Sequence, residues 1–104
     1  MFTVIEIPSA IEVGGFTYQI NSEPNQKLLQ TYNNLGETDN LLKIIRVDTS
    51  WNKENITKVF IHELLEAINY VYCDNHMEHR DIQGVSQGLL QIFKQLNISF
   101  YGGE

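Results

Sequence analysis

Residues 54–72 read ENITKVFIHELLEAINYVY, and this stretch decides the architecture. It holds no Gly or Pro. Ile56, Val59, Phe60, Leu64, Ala67, Ile68 and Val71 recur at the three- and four-residue spacing of one helix face. A helix this apolar has to be covered by other elements, and Thr49, Ser50 and Asn52 just upstream each offer an N-cap. Its polar strip is His62, Glu63, Glu66, Asn69 and Tyr70. Such groups are costly to bury unpaired, and a bound cation with water is one way to satisfy them.

Downstream, a second helix is expected from about Glu78 to Leu96, with Ile82, Val85, Leu89, Ile92, Phe93 and Leu96 on one stripe. Gly84 and Gly88 weaken it by roughly 1 kcal/mol each relative to alanine, or else let another helix approach closely. Cys73–Met77 is a polar connector, and Phe100–Glu104 reads as a docked strand fragment or a loose tail. Trp51 is expected to pack near the first helix turn. Upstream, Thr3–Ile7 is a short β-rich run ending at Pro8. The runs 11–13 and 16–20 alternate around Gly14-Gly15, the signature of a two-residue hairpin. Residues 21–40 are turn-rich and read as a loop with one short element at most. Leu41–Val47 reads as a third strand, apolar enough to be buried on both faces. The class is therefore α+β: a small antiparallel or mixed sheet of three to four strands, followed by two main helices.

Composition narrows the rest. At 104 residues, 42% hydrophobic and 19% charged, the chain suits one domain over 1–104 with a real core. Cys73 is the single cysteine, so no disulfide framework is available and a reducing, cytoplasmic setting is expected. No basic start, signal-type segment or membrane-length apolar run is evident. Thirteen acidic residues stand against 7 basic ones, giving a net charge of −6. That balance repels phosphate backbones and speaks against nucleic acid as a ligand.

The chemistry centres on His62-Glu63-Leu64-Leu65-Glu66-Ala67. Residues four apart on a helix lie one above the other, so His62 and Glu66 can share one metal ion. Glu63 lies one step round, suited to act as general base on water beside that ion rather than to ligate it. This is the logic of the H-E-x-x-H helix with a glutamate in the second histidine position. A third ligand is needed. His79, three residues before Ile82 on the inward stripe of the second helix, is favoured. His76 in the connector is the alternative, and Glu78 or Asp81 can also offer a carboxylate. His62, Glu66 and His79 together make a two-histidine, one-carboxylate set of the kind that holds one zinc ion.

Four features together resemble the minimal zincin-like metallopeptidase domains of phages and prophages. They are the Gly14-Gly15-Phe16-Thr17-Tyr18 hairpin, the run Ile44-Ile45-Arg46-Val47-Asp48, the His62–Ala67 motif, and the histidine before Asp81-Ile82. The resemblance spans nearly the whole chain, and the helix motif is its specific part. Those domains usually carry histidine where this chain has Glu66. The resemblance implies a zinc-dependent hydrolase acting on a peptide or protein substrate. The alternative expectation is a catalytically inactive interaction module on the same scaffold that binds a host protein.

Overall fold

A computed structural model describes residues 1–31 and 34–102. The chain runs β1 (Thr3–Glu6), β2 (Ala10–Val13), β3 (Phe16–Asn21), α1 (Lys27–Thr31), β4 (Gly36–Asp39), β5 (Ile44–Val47), α2 (Lys53–Tyr72), α3 (His79–Gln95) and β6 (Ile98–Tyr101). Four strands form a mixed sheet in the order β2-β3-β5-β4. The β2/β3 and β4/β5 pairs are antiparallel and the β3/β5 pair is parallel. β1 and β6 form a separate parallel pair, in register from Thr3 opposite Ile98 to Glu6 opposite Tyr101. The α+β class expected from the sequence is the class observed.

The β2–β3 hairpin turns on Gly14 and Gly15, at φ 57° and 87°. Positive φ at both central residues matches the right-handed strand twist, which is why glycines stand there. The hairpin tip rests on the C-terminal half of α2, so that a Cβ on Gly14 would lie 2.3 Å from Val71 Cγ1. One face of the sheet packs on α2: Tyr18, Ile20, Ile45 and Val47 join Ile56, Phe60 and Ala67 in the core. Alternation along β3 accounts for this, since Tyr18 and Ile20 are buried while the residues between and beside them are exposed. Asn52 is the α2 N-cap and accepts from Asn55 N at 2.9 Å. No described helix is long and apolar enough to cross a membrane.

Two expectations change. The strand foreseen over Leu41–Val47 starts only at Ile44. Asp39 Oδ1 accepts from both Leu41 N and Leu42 N, and Lys43 adopts φ 59°, so this segment turns and leaves Leu41 and Leu42 exposed. The presumed loop over 21–40 contains two elements, the short α1, which buries Leu29, and the edge strand β4; Tyr32 and Asn33 lie outside the described residues. Of the two readings of the C-terminal segment, the docked strand is the one found, as β6: Phe100 sets its ring edge-on to Phe60 at 5.1 Å and donates its N–H to Thr57 Oγ1 at 2.8 Å. Gly103 and Glu104 lie outside the described residues. Trp51 stands two residues before α2 and is half exposed.

Gly84 and Gly88 have no close helix neighbour, because a Cβ on either would meet nothing within 4 Å. α3 instead packs on α2 through Ile82 and Ser86, its two buried positions.

Candidate metal centre

His62 and Glu66 lie one turn apart on α2, with His62 Nε2 3.4 Å from Glu66 Oε2. The helical repeat alone brings these two together. His79 is the first residue of α3, and its Nδ1 stands 3.9 Å from the same Glu66 oxygen. Its ring meets that of His62 edge to face, at 5.4 Å and 71°. One ligand atom from each of His62, Glu66 and His79 lies within 4.8 Å of the others. His76 is exposed in the connector and stands outside this group. Glu78 caps α3, where its N–H donates to Asp81 Oδ2 at 3.4 Å, and neither carboxylate joins the group.

What places His79 there is the connector between the helices. Asn69 is buried, donating from Nδ2 to Met77 O at 3.1 Å and accepting from Met77 N at 3.0 Å. Two hydrogen bonds from one α2 side chain thus fix the backbone two residues before His79. Asn69 was part of the polar strip attributed to a cation, but its groups are satisfied by the connector instead. Tyr70, the other end of the strip, turns away and lies 4.9 Å from the Lys43 ammonium.

Glu63 points from α2 toward β4. Its carboxylate is almost fully buried, and Oε1 accepts from Thr38 Oγ1 at 2.7 Å, with the Glu63 carbonyl 3.0 Å from the same hydroxyl. Gly36, two residues earlier on β4, faces the same way. A Cβ there would stand 2.5 Å from Val59 Cγ1 and 2.9 Å from Glu63 Oε2. Burial, countered in part by the Thr38 hydrogen bond and assisted by the nearby Glu66 and Glu37 charges, raises the Glu63 pKa to about 7. For His62, burial pushes the pKa down; Glu66 opposes that and His79 adds to it. A neutral imidazole is the form that ligates metal.

These side chains line a cleft of about 450 Å³ between the start of β4, α2 and the N-terminal half of α3. A larger depression of about 650 Å³ at the β1–β2 junction has no His or Cys in its lining. Of these two, the smaller cleft is the one that gathers histidine and carboxylate donors.

The donor set fits a tetrahedral zinc ion. Ligands at roughly 2.0–2.2 Å from zinc stand roughly 3.3–3.6 Å apart, which the His62–Glu66 pair already matches at 3.4 Å. The His79–Glu66 separation is wider at 3.9 Å, and the His79 side chain is 67% exposed. Sequence reasoning missed Thr38 and Gly36 altogether. Both sit in a segment whose strand character comes from pairing with β5, and nothing local marks them as neighbours of Glu63.

Compared with protein-family models, curated proteins and solved structures, the chain gives no match in any of the three. The functional reading accordingly stands on its own side chains.

Gly36→Ala is expected to destabilise the protein by about 1–3 kcal/mol, because β4 has to move off Val59 and Glu63 to admit the methyl group. Gly84→Ala, where the methyl meets only open space, is expected to stabilise by roughly 1 kcal/mol. Thermal unfolding of the two variants side by side checks both signs. Equal effects would contradict the close contact between β4 and Glu63.

Proposed function

We propose that this chain is a metal-dependent hydrolase, most simply a zinc peptidase, with His62, Glu66 and His79 as ligands and Glu63 as general base. The observation that carries the reading is the convergence of His62, Glu66 and His79 donor atoms within 4.8 Å, in a cleft whose lining includes the mostly buried Glu63, its pKa raised to about 7. Zinc in such a set polarises a carbonyl and acidifies water.

The chain's own residues supply the rest. Glu63 Oε1 is held by Thr38, which leaves Oε2 to take a proton from the attacking water and return it to the leaving amine. Glycine at position 36 keeps that oxygen accessible, since any Cβ would crowd it at 2.9 Å. A proton affinity near neutrality suits a group that must both take and give a proton. A cation held by His62, Glu66 and His79 would favour the ionised form of the neighbouring Glu63 carboxyl.

The sheet offers a means of holding an extended substrate. β4 is terminal in the sheet order, and Asp48 N donates to Leu35 O across the β4/β5 pair. In an antiparallel ladder residues alternate, so Gly36 and Thr38 turn their backbone groups to the open edge. A peptide adding there as a further strand would run beside the cleft.

A second reading, a non-catalytic interaction module, draws on exposed apolar side chains near the β1/β6 pair: Phe2, Ile92 and Leu96 are 79%, 50% and 60% exposed.

The deciding test is incubation of a mixed peptide pool with zinc-loaded protein, with products read by mass spectrometry. Cleavage that stops on chelation and returns with zinc is the expected result. An uncut pool, together with a protein that binds no zinc, removes the hydrolase reading and favours the interaction module.

A further inference from the structure

Lys58 lies four residues before His62 on α2 and lines the same cleft. It is exposed, and among the described residues no carboxylate lies within 4.0 Å of its ammonium. Three other cations are engaged: Arg46 by Glu37, Lys94 by Glu54, and Lys43 by Asn40 O and three aromatic rings; neither Lys53 nor Arg80 lines the cleft. Opposite Lys58 stands Gln87 of α3. These two residues line both the cleft and an adjoining groove of about 620 Å³ that continues along the α2/α3 seam toward Lys94. Lys58 and Gln87 thus flank the junction of the two depressions.

An ammonium at this place works against a cation at His62 and Glu66, four residues and roughly 6 Å of helix rise away. An anionic group set between the two would relieve the repulsion. Lys58 brings three N–H donors and Gln87 an amide that donates two more, so the junction matches the acceptor oxygens of a carboxylate. An extended chain advances about 3.3–3.6 Å per residue, so a carboxylate at Lys58 belongs to a residue one or two positions from the carbonyl at the metal ligands.

We propose that Lys58, with Gln87 across the groove, is a specificity determinant that selects peptides carrying a carboxylate within two residues of the reacting bond. This deepens the hydrolase reading and rests on it for the identity of the ligand as a peptide. The carboxylate can be an Asp or Glu side chain or a free C-terminus, and the test separates these sources.

The test is a titration of the Glu63→Gln protein, with and without added zinc, using short alanine-based peptides. One series carries Glu or Gln at each position in turn with blocked ends. A second series differs only in a free or amidated C-terminus. The expected result is about three- to tenfold tighter binding of the carboxylate member in at least one series, shrinking as salt is raised. The preference is expected to vanish in Lys58→Ala and to reverse in Lys58→Glu, where the neutral member of each pair binds more tightly. Which series responds identifies the source of the carboxylate. Equal affinity within every pair, no binding by either member, or a preference unchanged in Lys58→Ala would each overturn the proposal. Lys58 is exposed on a helix, so its alanine variant is expected to fold, and circular dichroism checks this. The readout is binding rather than turnover. A protein that keeps the charge preference but loads no zinc and cuts nothing thus counts against the hydrolase reading alone.

Discussion

Glu63→Gln is expected to leave zinc binding intact, lower hydrolysis by about a hundred- to ten-thousandfold, and make the metal-free protein more stable at alkaline pH. The amide keeps an acceptor for the Thr38 hydroxyl but cannot move a proton, so the two effects have one cause. For stability the sign follows from the direction of the shift. Burial raises the folded-state pKa of Glu63 from 4.5 to about 7. Between those values the folded protein binds more protons than the unfolded chain, so the stability of the wild type falls as pH rises from about 4.5 through about 7. Below that window the carboxyl is neutral in both states and the variant gains nothing. Above it the wild type buries a charge that the variant lacks, and a gain of about 2–3 kcal/mol is expected for Gln. Urea unfolding at pH 4 and pH 8, without metal, measures the difference directly. A variant no more stable than wild type at pH 8 would show that Glu63 carries its charge without cost. Retained hydrolysis would remove it from the mechanism.

Zinc is expected to stabilise the folded chain, because the three proposed donors converge only there. With free zinc at a hundredfold its dissociation constant, linkage gives about 2.7 kcal/mol. That corresponds to a rise in Tm of roughly 10 °C or more for a domain of this size. His62→Ala and His79→Ala are each expected to abolish the rise, since either removes one of the three donors. His76→Ala is expected to leave it unchanged, since His76 stands outside the cluster. Thermal melts of the four proteins, with metal content measured by elemental analysis, distinguish the two histidines without any substrate. A zinc-induced rise that survives His79→Ala and disappears in His76→Ala would reassign the third ligand.

Much of this architecture can be read from local pattern. Helix α2 is legible because apolar residues repeat at helical spacing without a breaker, and the hairpin because Gly14-Gly15 interrupts two alternating runs. The juxtaposition of His62 and Glu66 belongs to the same class, for it needs only the pitch of one helix. β4 was not legible. Gly36-Glu37-Thr38-Asp39 lacks the apolar alternation of a half-buried strand, and it becomes one because β5 offers a ladder along its edge. The overreach at Leu41–Val47 has the converse origin. Leu41 and Leu42 look like core, yet Asp39 caps their amides into a turn and leaves them in solvent.

By itself, then, the sequence determined the α+β class, the helix that bears His62, Glu63 and Glu66, and the shared face of His62 and Glu66. Each is set by interactions between residues a few positions apart. The tertiary structure decided that His79 rather than His76 meets Glu66, through the clamp of Asn69 on Met77. It also decided that Glu63 is buried beneath β4 rather than left in water, through Thr38 and the missing side chain of Gly36. Those contacts join residues 8 to 27 positions apart. Their energy comes from burial and from satisfying polar groups once the layers have closed, and no periodicity along the chain encodes it.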